Sequence, residues 1–125
     1  MKVSDVMTRK VLTVEVGTPV REAIKLMAEH GVNSIPVVRK GFYEGIVKVE
    51  DILSLAIREN ADIFDLKVED VMTPYPVFVS PSTDLTEAAR IMVERKVGHL
   101  LVVDGRKVVG IISDFDVIET FSELS

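Results

Sequence analysis

The sequence predicts a mixed α/β (α+β) fold made of two tandem β-α-β-β-α repeats, packed sheet to sheet about a pseudo-two-fold axis. Three observations lead there. A shift of 65 residues lays positions 3–53 on 68–118 without a gap, with about a third of them identical. Each copy carries one apolar stripe of helical spacing, then two β-rich runs joined by a polar turn. One copy of about 50 residues is marginal for an independent core, and two copies relieve this by burying a sheet face against each other. The repeats are placed at 1–60 and 61–125, as one compact pair.

Each repeat opens on Asp-Val-Met-Thr, at 5–8 and again at 70–73. A short extended run follows, at 11–16 or 77–80. The first helix is predicted next, from Val20, Ala23, Ile24, Met27 and Ala28, and the stripe returns as Leu85, Ala88, Ala89, Met92 and Val93. Thr18-Pro19 predicts its start, a capping hydroxyl before a proline at the first helical position. Strands are then expected at 35–38 and 43–47, and at 100–103 and 108–112. Their hairpin turns are Arg39-Lys40-Gly41 and Asp104-Gly105-Arg106. A second helix closes each copy, from about Glu50 and about Phe115. Between the copies, Leu55, Ala56, Ile57, Ile63 and Phe64 make 54–67 too apolar for a flexible tether, so packing is expected there.

Composition narrows the function classes. The 125 residues are 47% hydrophobic and 28% charged, as in an ordinary globular protein. A net charge of −5 argues against general attraction to nucleic acid or anionic membrane. Without cysteine there are no disulfides, thiolate metal sites or cysteine nucleophiles. No apolar stretch approaches the ~20 residues that span a bilayer, and the N-terminus lacks the apolar core of a secretion signal. A cytoplasmic location is expected. Two isolated histidines give no metal cluster of the usual spacing, and no Gly-x-Ser-x-Gly turn is present.

The sharpest local signal is Gly110-Ile111-Ile112-Ser113-Asp114-Phe115-Asp116, running out of a strand into a helix. One reading is a helix cap, with Ser113 accepting first-turn amides and Asp116 reaching back as in a capping box. The other uses the same geometry for a ligand: free N–H groups and a hydroxyl suit phosphate, and the carboxylate one turn on suits ribose hydroxyls. Glycine would let the ligand approach the backbone. The first copy reads Gly45-Ile46-Val47-Lys48-Val49-Glu50-Asp51. Lys48 stands where Ser113 does, forfeits a cap and opposes the helix dipole. Its position makes sense if it meets an anion, either Glu44 or Glu50 or a bound phosphate. His30 is read as structural, at a helix C-terminus. His99 could donate to phosphate or cap a strand edge.

These residues resemble a pair of cystathionine-β-synthase (CBS) domains, a stand-alone Bateman module. The motifs are the duplicated Val-Met-Thr blocks, Ser-Ile-Pro-Val-Val at 34–38, Leu-Val-Val-Asp at 101–104 and the closing Asp51 and Asp116. The resemblance implies a non-catalytic regulatory module, with no required cofactor, that binds AMP, ADP, ATP or S-adenosylmethionine in clefts between the halves. In one cleft Asp116 would hold ribose, Ser113 and His99 would face phosphate, and Thr8, Lys10, Val11, Leu12 and Ile112 would line the ligand. In the other, Asp51, Lys48 and Ser34 would act with Thr73, Tyr75, Pro76 and Val77 around the base. Lys48 departs from the family's Ser or Thr, so that site is specialised for a more anionic ligand or empty. The resemblance further implies a disc-like homodimer formed through helices, with Met27, Ala28, Met92 and Val93 partly at its surface, and an effector protein that reads the ligand. A ligand-free dimerisation module is the alternative. The two repeats account for the residues present and leave no catalytic domain among them.

Overall fold

A computed structural model of the chain describes residues 1–59, 62–74 and 77–125. It divides into two compact units, Leu12–Pro76 and a second made of Met1–Val11 with Val77–Ser125. In the first, β1 (Val14–Glu15) is followed by α1 (Val20–His30), β2 (Ser34–Arg39), β3 (Phe42–Lys48) and α2 (Val49–Glu59). A 3-10 turn at Ile63–Asp65 then leads to α3 (Val68–Val71) and β4 (Thr73–Pro74). The second unit has a 3-10 turn at Val3–Asp5, then β5 (Phe78–Val79), α4 (Leu85–Arg95), β6 (His99–Asp104), β7 (Lys107–Ser113) and α5 (Asp114–Leu124). The fold is mixed α/β, as the periodicities predict.

The same ladder recurs in both units. β1 runs parallel to β2, and β2 is antiparallel to β3. Likewise β5 runs parallel to β6, and β6 is antiparallel to β7. A register irregularity sits at Val37/Val38 and again at Val102/Val103. The hairpins extend one residue beyond the expected strands at each end. Lys40 and Gly41 turn the first with φ of 53° and 85°, both left-handed, as a two-residue hairpin turn requires. The extended runs expected at 11–16 and 77–80 shorten to two paired residues each.

The start of α1 differs from expectation. Pro19 is extended (ψ 143°) and is itself the cap residue, without a side-chain cap bond, so Thr18 does not occupy that position. The first helical amide, of Val20, donates to the Leu66 carbonyl at 2.8 Å. At α4 the Leu85 amide donates likewise to the Met1 carbonyl at 2.9 Å. In both units an incoming segment satisfies an orphan helix-start donor with a backbone carbonyl.

That incoming segment is the opening block of the other repeat. Val3 is fully buried with Val79, Leu85, Ala88, Leu100 and Ile112. Val68 is fully buried with Val14, Val20, Ala23, Ile35 and Val47. Full burial of a valine contributes roughly 1.5–3 kcal/mol, so each block is anchored hydrophobically as well as by backbone bonds. Ile63 and Leu66 also pack against the core of the 12–76 unit, in line with the apolar character of 54–67, whereas Ile57 is 81% exposed. Asn60 and Ala61 of that stretch lie outside the described residues. Met27 and Met92 are core side chains, 2% and 5% exposed, because they fall at the centre of their helical stripes. They are not part of an outer helix surface; Ala28 and Val93, at the stripe edge, are exposed.

The blocks cross the hairpins at the two duplicated glycines. A Cβ on Gly110 would lie 2.5 Å from Met7 Sδ and 3.1 Å from the Thr8 carbonyl oxygen. On Gly45 it would lie 2.7 Å from both Met72 Sδ and the Thr73 carbonyl oxygen. Overpacking of this kind typically costs about 1–3 kcal/mol. Chemical denaturation should therefore find Gly45→Ala more destabilising than Gly110→Ala, since a backbone oxygen yields less readily than a thioether. Adding Met7→Ala should offset much of the Gly110→Ala loss, whereas Met72→Ala should only partly offset that of Gly45→Ala.

Candidate functional site

Antiparallel register decides which side chains converge. Directly opposed residues share a face, and neighbours along a strand alternate. β6 and β7 pair His99 with Ser113, and β2 and β3 pair Ser34 with Lys48. Val47 and Ile112 point into the helix-packed cores, so Lys48 and Ser113, one residue further, face away from them. Both stand where a strand turns directly into a helix.

At the β7–α5 junction the Asp116 amide donates to Ser113 Oγ at 3.1 Å, and the Ser113 amide donates to Asp116 Oδ2 at 3.0 Å. This is the capping box expected from the motif, and it occupies one of the two Asp116 carboxylate oxygens. Thr120 Oγ1 donates to the Asp116 carbonyl at 2.9 Å. The opening block lies along β7: the Thr8 amide donates to the Ile111 carbonyl at 2.9 Å, and the Ile111 amide to the Thr8 carbonyl at 3.0 Å. Thr8, His99, Ser113 and Asp116 are thus gathered in one unit from both repeats. Lys10 and Val11 follow on the same segment, exposed and half-buried. Ile112 is fully buried in the core and presents no side chain to a ligand.

The β3–α2 junction has the same layout, with Asp51 in the first turn of α2 and Thr73 paired with Ile46. Its chemistry differs. Glu44 accepts from Arg39 Nε at 3.0 Å, and among the described residues no carboxylate forms an ion pair with Lys48. The intramolecular partners expected for Lys48, Glu44 and Glu50, therefore do not hold it. Asp51 makes no side-chain hydrogen bond among the described residues. Leu12 falls in the unit that lacks Thr8, and Val77 in the unit that lacks Thr73. Tyr75 and Pro76 lie outside the described residues.

Three further features bear on the sites. The space above Gly45 and Gly110, expected to admit a ligand, is filled by Met72 and Met7. Asp114 was not singled out by motif; its amide donates to the Gly98 carbonyl at 2.8 Å, beside His99. The signal was present as an acid at the position Val49 holds in the first copy. His30 Nδ1 lies 2.9 Å from the Leu26 carbonyl at the end of α1, the structural place expected for it. Among the described residues no cluster of acids and histidines could hold a metal ion.

This duplicated strand-to-helix junction matches a known family. The CBS domain model matches residues 3–58 and 68–123. The chain belongs to the CBS domain family. An uncharacterised protein of Methanocaldococcus jannaschii is 42% identical over 123 residues, covering 96% of this chain and 44% of that protein. The CBS domain-containing protein YhcV of Bacillus subtilis is 34% identical over 113 residues, covering 89% and 79%. Among solved structures, Arabidopsis thaliana CBSX2 in complex with AMP is 32% identical, with a TM-score of 0.87 over 98% of this chain and 97% of that one. The chain spans less than half the length of two Methanocaldococcus relatives that it matches, 44% and 40%.

The capping roles of this CBS pair are separable by mutation. Ser113→Ala should lower stability by about 0.5–2 kcal/mol in thermal or urea unfolding, the usual loss of a helix cap. Asp51→Asn, which removes no described hydrogen bond, should stay within about 0.5 kcal/mol of wild type.

Proposed function

We propose that this CBS pair is a non-catalytic regulatory module that binds an adenosine-containing ligand, of the AMP, ADP, ATP or S-adenosylmethionine type, and relays its presence to a partner protein by conformational change. The observation that carries this reading is the duplicated junction, with Asp51 and Asp116 one turn into helices whose N-termini face the strand ends. Helix-start amides suit phosphate. A carboxylate one turn further suits vicinal ribose hydroxyls. The AMP complex of CBSX2 supports the same ligand class.

Relay follows from the origin of the parts. Thr8 comes from the opening block, and Ser113 and Asp116 from the hairpin and helix it packs on. A ligand that touches both favours the docked arrangement, by as much as its affinities for the docked and undocked states differ. We further propose a homodimer formed through α2 and α5. Phe115, Ile118, Phe121 and Leu124 recur at three-residue steps on α5 and are exposed, as are Leu53 and Ile57 on α2. Apolar stripes of this kind mark association surfaces. We place the protein in the cytoplasm; among the described residues no helix is long and apolar enough to cross a membrane.

The capping box at Ser113 and Asp116 also favours a second reading, a dimerisation module that binds no ligand. Calorimetry and thermal shift with AMP, ADP, ATP and S-adenosylmethionine separate the two. Binding is expected for at least one compound and should be lost in the double variant Asp51→Ala/Asp116→Ala; no binding to wild type would leave the dimerisation module. Ile118→Glu should convert the dimer to monomer in sedimentation velocity without lowering the melting temperature by more than a few degrees.

A further inference from the structure

The chain has five methionines, and their surroundings divide them. Met27 and Met92 are core side chains, 2% and 5% exposed, whereas Met1 is 58% exposed. Met7 and Met72 fall between: each is half-buried and packs against the core of its own unit. They hold the same place in the two Asp-Val-Met-Thr blocks. Their sulfurs lie against the strand glycines, since a Cβ on Gly110 would be 2.5 Å from Met7 Sδ and one on Gly45 2.7 Å from Met72 Sδ. The backbone groups beside them are acceptors or already paired. The Thr8 carbonyl oxygen would be 3.1 Å from that Gly110 Cβ, and the Thr73 oxygen 2.7 Å from that on Gly45. The Thr8 and Ile111 amides donate to each other's carbonyls, and Thr73 pairs with Ile46 in the same antiparallel sense. A thioether fits this place; a sulfoxide does not.

We propose that Met7 and Met72 are oxidation sites whose conversion to sulfoxide undocks the opening block from the hairpin of its unit. The oxidant is a peroxide, with hydrogen peroxide as the probe. A sulfur lone pair attacks one peroxide oxygen, and an S–O bond forms as the O–O bond breaks. The departing oxygen takes the proton of the transferred one and leaves as water. Sulfur gives up two electrons, and the peroxide accepts them. The product is a polar, chiral side chain in place of a flexible apolar one. Its oxygen is a strong acceptor, and burying an acceptor without a donor is unfavourable. Here that oxygen meets carbonyl oxygens and committed amides, where one added carbon already collides. It is accommodated when the block lifts from the strand and the sulfoxide reaches water. Thr8 and Thr73 move with their blocks, so oxidation withdraws one wall of each candidate site. Enzymatic reduction of the sulfoxide restores the docked arrangement.

Treatment of the full chain with hydrogen peroxide under native conditions tests this, with mass mapping of each methionine and hydrogen exchange as readouts. Met7 and Met72 should oxidise at least about tenfold faster than Met27 and Met92. Amide protection across 3–11 and 107–112, and across 68–74 and 44–48, should fall in step with that oxidation. Met7→Leu, a volume-conserving exchange, should keep protection at 3–11 in peroxide while 68–74 still loses it, and Met72→Leu should do the reverse. A methionine sulfoxide reductase should return protection to the oxidised wild type. If Met7 and Met72 oxidise no faster than the core methionines, or if the oxidised chain keeps its protection, the proposal is overturned. Loss of protection at the substituted block of either leucine variant would overturn it as well.

Discussion

Two glycines, Gly45 and Gly110, let a segment of backbone pass where any Cβ would collide with a methionine and a carbonyl oxygen. That close passage is the constraint from which the rest of the arrangement follows. It brings Thr8 into hydrogen-bonding reach of Ile111 and Thr73 beside Ile46, and it lets Val3 and Val68 reach cores to which their own repeats contribute little. The incoming backbone then satisfies the first amides of α1 and α4, while the side-chain cap of α5 serves a later amide, that of Asp116.

Stability and function are consequently built from the same parts. The opening block of each repeat is at once a core anchor, a helix cap and one wall of a candidate site. A ligand at such a place acts on an element whose docking already involves hydrophobic burial and a few backbone bonds, each of the latter worth about 1 kcal/mol net. Modest differential affinity is enough to bias an element of that kind. The capping box at Ser113 and Asp116 fits the same economy, because it uses one carboxylate oxygen and leaves the other for chemistry.

Duplication gives the molecule an internal control. The matching positions 48 and 113 share register, strand end and helix start, so their difference is chemical and not conformational. A serine caps its helix there and a lysine does not. Where two sites share a backbone, the side chains at one step carry the distinction between them.

Much of this was legible in the sequence. The 65-residue repeat, the helical stripes centred on Met27 and Met92, the two hairpins and the Ser113–Asp116 box all depend on residues near one another in the chain, where periodicity and capping rules operate. The class of the site was legible for the same reason, as a strand running into a helix. Three things were decided only by tertiary structure. Thr18 does not cap α1, because Pro19 is extended and takes the cap position while the Leu66 carbonyl of the following repeat accepts the first amide. Gly45 and Gly110 make room for Met72 and Met7 instead of a ligand. Lys48 is left without Glu44, because Arg39 takes that carboxylate. Each turns on a contact between residues whose meeting depends on how strands and segments pair, and local propensity carries no record of that pairing.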